Sequence, residues 1–360
     1  MKKLKAAILG GTGMVGQRFI SLLHDHPWFE VSVIAASPRS AGKTYEEAVG
    51  ERWKLDAPMP EEVKNIVVKD VSDVKNVSAD VDLCFSAVDM TKEEIRRIEE
   101  EYAKTETPVV SNNSAHRWTE DVPMIIPEIN PEHAEIIPAQ MKRLGTKRGF
   151  IAVKPNCSIQ SYTPVFYAWK DFEPYEAIVS TYQAISGAGK TFKDWPEMVG
   201  NVIPYIGGEE EKSEKEPLKV FGHIEGDRIV SYDGLKITSQ CIRVPVLNGH
   251  TASVFVKLKK KASKEELISA MESFSGEPQK LNLPSAPKQF MRYLTEDNRP
   301  QVQLDVNYEN GFGVTVGRLR EDSIYDWKFV GLSHNTVRGA AGGGVLCAEL
   351  LKAKGYITEK

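Results

Sequence analysis

Leu4-Lys5-Ala6-Ala7-Ile8-Leu9, then Gly10-Gly11-Thr12-Gly13-Met14-Val15-Gly16, then Gln17 to His24: an apolar strand, a glycine-rich turn and a helical pattern follow one another with no spacer between them. In that context a Gly-x-x-Gly-x-x-Gly string reads as a dinucleotide-binding turn, because a bare backbone lets a pyrophosphate reach the first N–H groups of the helix. Gly10, Gly13, Met14 and Val15 are the expected cofactor contacts. Thr12 either bonds a phosphate through its hydroxyl or caps the helix.

Working outward, the next strand, Val31–Ala36, ends in Ser37-Pro38-Arg39-Ser40-Ala41-Gly42-Lys43. An NAD-preferring fold carries an acid roughly twenty residues after the glycine turn to hold the ribose 2′-hydroxyl. No carboxylate stands here. Ser37, Arg39 and Ser40 suit a 2′-phosphate instead, which points to NADP. Further strands are expected at Ile66–Val68, Val81–Ser86 and Pro108–Ser111. Thr91-Lys92-Glu93-Glu94 is a capping box that opens a charged helix to about Ala103. Alternating strands and helices to about residue 155 predict a doubly wound parallel sheet. Ligands lie at the strand C-termini of such sheets, so Ser86 and the Ser111–Arg117 loop should face the cleft. Arg117 reads equally as a cleft cation or a surface charge.

The second informative stretch is Lys154-Pro155-Asn156-Cys157-Ser158-Ile159-Gln160-Ser161. Pro155 fixes a turn, Asn156 is a good N-cap, and Ser158–Trp169 can continue as a helix. Cys157 then falls at the first helical position, where free N–H groups and the helix dipole should lower its pKa and supply donors for an oxyanion. Beyond it the texture changes: Ala177–Ala184, Ile237–Pro245, Thr251–Leu258, Val302–Asn307 and Gly313–Arg320 are strand-like, with a helix near Lys264–Ser273. These predict an α+β second domain with a largely antiparallel sheet. Gly207–Lys219 reads as a mostly solvated helix, with Glu216 and Lys219 on one side. Asn335–Leu351 reads as a helix whose first turns lack side chains, permitting close cofactor approach at Asn335 and beyond. It is expected to return to the first domain, giving residues 1–155 plus 335–360 and residues 156–334 as the two units. Leu281–Lys288 reads as a loop.

Composition bounds the alternatives. The chain has 360 residues and a net charge of −4, enough for about two domains and without a cationic surface for nucleic acid or membrane. No apolar run reaches the roughly 18 residues of a membrane span, and the N-terminus lacks the marks of a secretory signal. Cys84, Cys157, Cys241 and Cys347 have no paired spacing for zinc or a disulfide framework. A reduced, cytoplasmic protein without a metal is expected.

A dinucleotide site and a thiolate at a helix start suggest hydride transfer to or from a thioester, which also needs an acid/base and cations for an anionic substrate. His250, downstream of Arg243 in Arg243-Val-Pro-Val-Leu-Asn-Gly-His250, is the candidate base. Gln183 is a polar residue in an otherwise apolar strand.

With these residues assembled, the chain resembles the aspartate-semialdehyde dehydrogenases nearly end to end. The resemblance rests on Gly10–Gly16, Ser111–Arg117, Pro155-Asn156-Cys157, Tyr182-Gln183-Ala184, Glu216 with Lys219, Arg243 with His250, and Asn335–Gly344. Ser333 to Gly343 looks like the archaeal and fungal branch. The resemblance implies reversible, NADP-dependent reductive dephosphorylation of aspartyl-β-phosphate to aspartate semialdehyde. It implies that Cys157 is the nucleophile, that His250 handles the proton and that Gln183 aligns the reacting group. Arg243 would hold the α-carboxylate and Glu216 the α-ammonium, while Arg117, Asn156 and Lys219 take the phosphate. Ser186, Gly187 and Asn335 would meet the cofactor. A homodimer or homotetramer assembled through the second domain is also implied. Neighbouring Glu210, Glu211, Lys212, Glu214 and Lys215 offer competing registers for the Glu216/Lys219 pair. Malonyl-CoA reductases and N-acetyl-γ-glutamyl-phosphate reductases share much of this plan, and a silent NADP-sensing regulator is the non-enzymatic alternative. Glyceraldehyde-phosphate dehydrogenases carry Ser-Cys-Thr-Thr-Asn where this chain has Asn156-Cys157-Ser158-Ile159-Gln160.

Overall fold

A computed structural model describes residues 2–360. Six strands, β1 (Leu4–Leu9), β2 (Phe29–Ala36), β3 (Lys69–Asp70), β4 (Leu83–Ser86), β5 (Val109–Ser111) and β6 (Ile151–Val153), form one all-parallel sheet. Its order is β3-β2-β1-β4-β5-β6, so the chain reverses direction across the sheet between β1 and β4, where doubly wound folds bind ligands. β4 and β5 are buried throughout, as strands covered by helices on both faces must be. α1 (Met14–Leu23) follows the glycine turn directly. α2 (Lys92–Lys104) opens with the expected box, Thr91 accepting from the Glu94 N–H and the Glu94 side chain accepting from the Thr91 N–H.

The second sheet contains β7 (Pro174–Gln183), β10 (Lys236–Arg243), β11 (His250–Leu258), β12 (Met291–Leu294), β13 (Val314–Glu321) and β14 (Trp327–Ser333); β8 (His223–Glu225) and β9 (Arg228–Val230) make a separate hairpin. The order is β10-β7-β11-β14-β13-β12. Its β7/β11, β11/β14 and β13/β14 pairs are antiparallel, while β7/β10 and β12/β13 are parallel. One face packs on Tyr162, Val165, Phe166 and Trp169. The other leaves Ile178 and Tyr182 exposed. α3 (Glu209–Val220) lies against β10. α4 (Gly342–Ala353) is buried from Gly342 to Leu351 and shares a core with Phe19 and Phe85 of the parallel-sheet half.

Several elements differ from the expectation. Ile66–Val68 is not a strand of the sheet: Ile66 O accepts from Tyr45 N–H and Val68 N–H donates to Lys43 O, which makes only an isolated antiparallel bridge between Val67 and Thr44. Val302–Asn307 contains a short helix, Val302–Asp305, because the buried Asp305 carboxylate binds the Gln301 N–H at 2.7 Å and pairs with Arg292 and Arg299. The helix expected from Ser158 is a 3-10 turn, Ser158–Ser161, and a separate helix, Thr163–Ala168, split at Tyr162 (φ −140°). The tail begins as a π turn, Val337–Ala341, ahead of α4. β3, β6, β8, β9, β12 and β14 were not anticipated from the sequence.

Candidate active site

Two adjoining cavities lie at the carboxyl edge of the parallel sheet. One, about 250 Å³, is lined by Gly10, Thr12, Gly13, Ser37, Arg39 and Met90 among others. The second, about 360 Å³, is lined by Thr12, Ser37, Arg39, Ser40, Lys43 and Arg52. Gly10 and Gly16 are demanded by the chain itself: a Cβ would stand 2.3 Å from Ala87 O and from Gly10 O respectively. At Gly13, by contrast, a Cβ would meet only Gly10 O at 3.6 Å, so the bare backbone there opens on the cavity. Gly13 is the N-cap of α1 and no side chain caps the helix, which rules out the capping alternative for Thr12. The uncapped first turn and the Arg39/Lys43/Arg52 cluster, with no carboxylate lining that second cavity, fit a dinucleotide bearing an extra phosphate.

Lys43 and Arg52 were not singled out from sequence. Lys43 stands in the string that follows β2, but Arg52 had no signal. Gln17 holds it in place: its amide donates to Thr12 O at 3.1 Å and to Arg52 O at 2.9 Å. Two expected contacts lie elsewhere. Met14 is buried and lines neither cavity. Ser86 is wholly buried, its hydroxyl donating to Glu99 Oε1 at 2.6 Å alongside Ser111 Oγ, also at 2.6 Å. Its polarity serves a buried carboxylate from α2, not a ligand.

A third pocket, about 360 Å³, lies between the two sheets and is lined by Val15, Asn112, Arg117, Asn156, Cys157, Gln183, Ser186, Gly187, Arg243 and Asn335, and also by Lys154, Glu209 and Lys212. β6 ends one residue before Lys154 and delivers Cys157 to it. β7 delivers Gln183, β10 Arg243 and β11 His250, and Gln183 and His250 are cross-strand partners. Cys157 Sγ lies 3.4 Å from His250 Nε2. The Ala184 N–H donates to His250 Nδ1 at 3.0 Å, so the neutral ring carries its proton on Nε2, facing the sulfur. Arg243 Nη1 donates to Ala184 O at 2.6 Å. Asn335 Oδ1 accepts from Gly249 N–H at 2.7 Å and its Nδ2 donates to Ser186 Oγ at 2.8 Å, which ties the tail to both loops. Gly339 is pressed on Cys157: a Cβ on it would stand 2.7 Å from Cys157 Cβ.

The electrostatics correct one expectation. Burial pushes the Cys157 thiol up, with Glu209 adding to the effect, while Lys154, Arg117 and Arg243 pull it down. In the free state the thiol is not lowered, because the Ser158–Ser161 turn is too short to lend a full helix dipole and desolvation wins. Burial and then Arg243 push His250 down to about 3, so it is neutral at physiological pH.

Glu216 and Lys219 also stand apart from the expected role. Glu216 is wholly buried, one oxygen paired with Arg117 Nη1 at 2.9 Å and the other accepting the Asn156 N–H at 2.5 Å. Lys219 Nζ donates to the carbonyls of Arg117, Thr119 and Val122 at 2.7, 3.1 and 3.2 Å. Neither lines the pocket. The pair that does is Glu209 and Lys212, two turns earlier on the same face of α3, 3.1 Å apart. Glu209 Oε1 also accepts from Asn156 Nδ2 at 2.8 Å. Burial alone would push the Glu209 carboxyl up, but Lys212 and Asn156 outweigh it and hold it below the usual range. Lys212 was among the competing registers; Glu209 was not.

Residues 5–137 match the family model described as semialdehyde dehydrogenase, NAD binding domain, and residues 164–338 match semialdehyde dehydrogenase, dimerisation domain. The aspartate-semialdehyde dehydrogenase of Aspergillus fumigatus is 42% identical over 99% of both chains. That of Methanothermobacter thermautotrophicus is 42% identical over 97% of this chain and 99% of its own. The chain belongs to the aspartate-semialdehyde dehydrogenase family. Among solved structures, aspartate semialdehyde dehydrogenase with NADP from Candida albicans superposes with a TM-score of 0.88 at 37% identity, covering 99% of this chain and 100% of that one. Aspartate semialdehyde dehydrogenase II from Vibrio cholerae, at 23% identity and a TM-score of 0.76 over 98% of this chain and all of its own, shares the fold. The archaeal and fungal relatives agree with the branch read from Ser333–Gly343.

Proposed function

We propose that the chain catalyses the reversible, NADP-dependent reductive dephosphorylation of L-aspartyl-β-phosphate to L-aspartate semialdehyde. The observation that carries this is Cys157 Sγ at 3.4 Å from His250 Nε2 in a pocket that opposes Arg117, Lys212 and Arg243 to a single lining carboxylate, Glu209. An acyl phosphate with an amino-acid end needs several cations and one anion.

The Cys157 thiol gives up its proton and attacks the acyl carbon; the C–S bond forms and the C–O bond to phosphate breaks, leaving a thioester and a phosphate that takes up that proton. Gly10, Thr12, Gly13, Ser37, Arg39 and Ser40 would hold NADP, with Lys43 and Arg52 at the extra phosphate, and in its reduced form it would supply the hydride. The tetrahedral alkoxide then re-forms the carbonyl and expels the Cys157 thiolate. His250 Nε2–H donates to the sulfur and to the developing oxyanion without leaving the neutral state. The expelled thiolate takes a proton from solvent and returns to the thiol, so the one proton consumed overall replaces the one that left with phosphate. Arg243 holds the α-carboxylate through its fork. Glu209 faces the α-ammonium, and Lys212, Arg117 and the Asn156 side chain face the phosphate. Gln183 aligns the acyl group.

Residues 1–155 plus 335–360 form the cofactor-binding unit and residues 156–334 the catalytic and assembly unit. The exposed face carrying Ile178 and Tyr182 is the contact in a homodimer or a homotetramer. Four free cysteines suit a reducing compartment, the cytoplasm, and no described helix is long and apolar enough to cross a membrane.

The test is NADP reduction in phosphate with aspartate semialdehyde, with N-acetylglutamate semialdehyde, and with malonate semialdehyde plus coenzyme A in place of phosphate. Turnover confined to the first supports the proposal. Preference for either of the others, or no turnover with any, overturns it.

A further inference from the structure

Lys154 is a buried cation that the chemistry above leaves without a part. It is 2% exposed, lines the catalytic pocket beside Cys157 and Arg117, and forms no ion pair with any described carboxylate. Its ammonium donates to the carbonyls of Pro155, in the turn before the nucleophile, and of Gly339, in the π turn pressed on Cys157. Its Cε would stand 3.6 Å from a Cβ placed on Gly343, so the whole side chain threads between the two segments. A neutral donor could join two carbonyls at far lower desolvation cost than a lysine, whose burial without a counter-ion is expensive. Something in the catalytic cycle must make the charge useful.

We propose that Lys154 is a positioning residue for Cys157, clamping the Cys157 turn to the Gly339 turn and supplying the positive charge against which the sulfur ionises. This rests on the assignment of Cys157 as nucleophile. The groups facing Lys154 are Arg117, Glu216, Arg338 and Cys157 itself. Those facing the sulfur are Glu209, Arg117, Arg243 and His250. Burial, and then Arg117, push Lys154 down to about 7, with Cys157 and Glu216 working the other way. Thiolate and ammonium therefore stabilise each other.

The experiment follows iodoacetamide labelling of Cys157 against pH, read by peptide mass, in wild type, Lys154→Gln and Lys154→Met. Gln keeps an N–H donor for the carbonyls and removes the charge; Met removes both. Both variants should label with an inflection roughly one pH unit or more higher than wild type, as expected for loss of a neighbouring opposite charge. At neutral pH kcat should fall roughly tenfold or more, with KM for NADPH changed by less than about twofold. A labelling profile superimposable on wild type in Lys154→Gln would overturn the proposal. Should Lys154→Met fail to fold, Lys154→Gln alone decides. The labelling readout needs no turnover, so an inactive wild type would refute the proposed reaction and leave the role of Lys154 still measurable.

Discussion

The Ala184 N–H donates to His250 Nδ1 at 3.0 Å, and that bond decides which face of the imidazole carries the proton. Protonating the ring would set an N–H against an N–H, in a site already buried and facing Arg243. His250, pushed down to about 3, and His334, pushed down by burial to about 4, are held neutral in the folded chain. Both lie below their ordinary 6.5, so the unfolded chain binds the extra protons first. Their contribution to stability is complete above about pH 6.5 and is lost as the pH falls toward 4. Urea midpoints at pH 7.5, 6 and 5 should decline in that order, and the decline should be smaller in His250→Gln. A midpoint that rises on acidification would contradict the neutral assignment.

Glu209 and Glu216 should separate by assay. Glu209→Gln should raise KM for aspartate semialdehyde by about tenfold or more, one charged contact being worth roughly 1.5–3 kcal/mol, and leave the urea midpoint near wild type. Glu216→Gln should destabilise the fold by about 3–5 kcal/mol, because it strands Arg117 as a buried charge. The reverse pattern would return the substrate ammonium to Glu216.

Gly339→Ala places a Cβ where Cys157 Cβ already stands, 2.7 Å away. One of the two turns must shift. A displacement of order 1 Å at a nucleophile costs roughly a hundredfold in rate, so kcat should fall by about that factor in a chain that still binds NADPH. Near-native kcat would show that the two turns can part freely.

Cofactor choice is read from the cavity floored by Arg39, Lys43 and Arg52. Arg39→Ala should weaken NADPH by about 1–3 kcal/mol, a lost charged hydrogen bond, with little change for NADH. Arg52→Ala should act in the same direction. Fluorescence titration of both nucleotides checks this, and equal losses for NADPH and NADH would place the extra phosphate elsewhere.

The parallel sheet was legible because its signals are local: strand, glycine turn and helix adjoin at Leu4–Leu23, and Thr91–Glu94 carries its own cap. Cys157, Gln183, Arg243 and His250 were legible as chemistry, and the structure gathers them into one place. The errors share one cause, which is that a side chain's destination is set by tertiary packing. Glu209/Lys212 and Glu216/Lys219 repeat the same spacing seven residues apart on one face of α3. Only the position of the Cys157 turn decides that the first pair meets the pocket and the second backs it. Ser86 lies at the expected strand end, yet Glu99 rises from α2 to claim its hydroxyl. Val302–Asn307 has strand-like residues but is wound into a short helix by Asp305 and two arginines of the segment just before it, Arg292 and Arg299.

In the proposed cycle Cys157 carries the acyl group. Incubating the enzyme with aspartate semialdehyde and NADP in the absence of phosphate, quenching in acid and mapping the peptides by mass tests it directly. An aspartyl thioester on Cys157 is expected, formed in step with NADPH and discharged on adding phosphate. NADPH formation with no adduct on Cys157, or with an adduct on another residue, would contradict it.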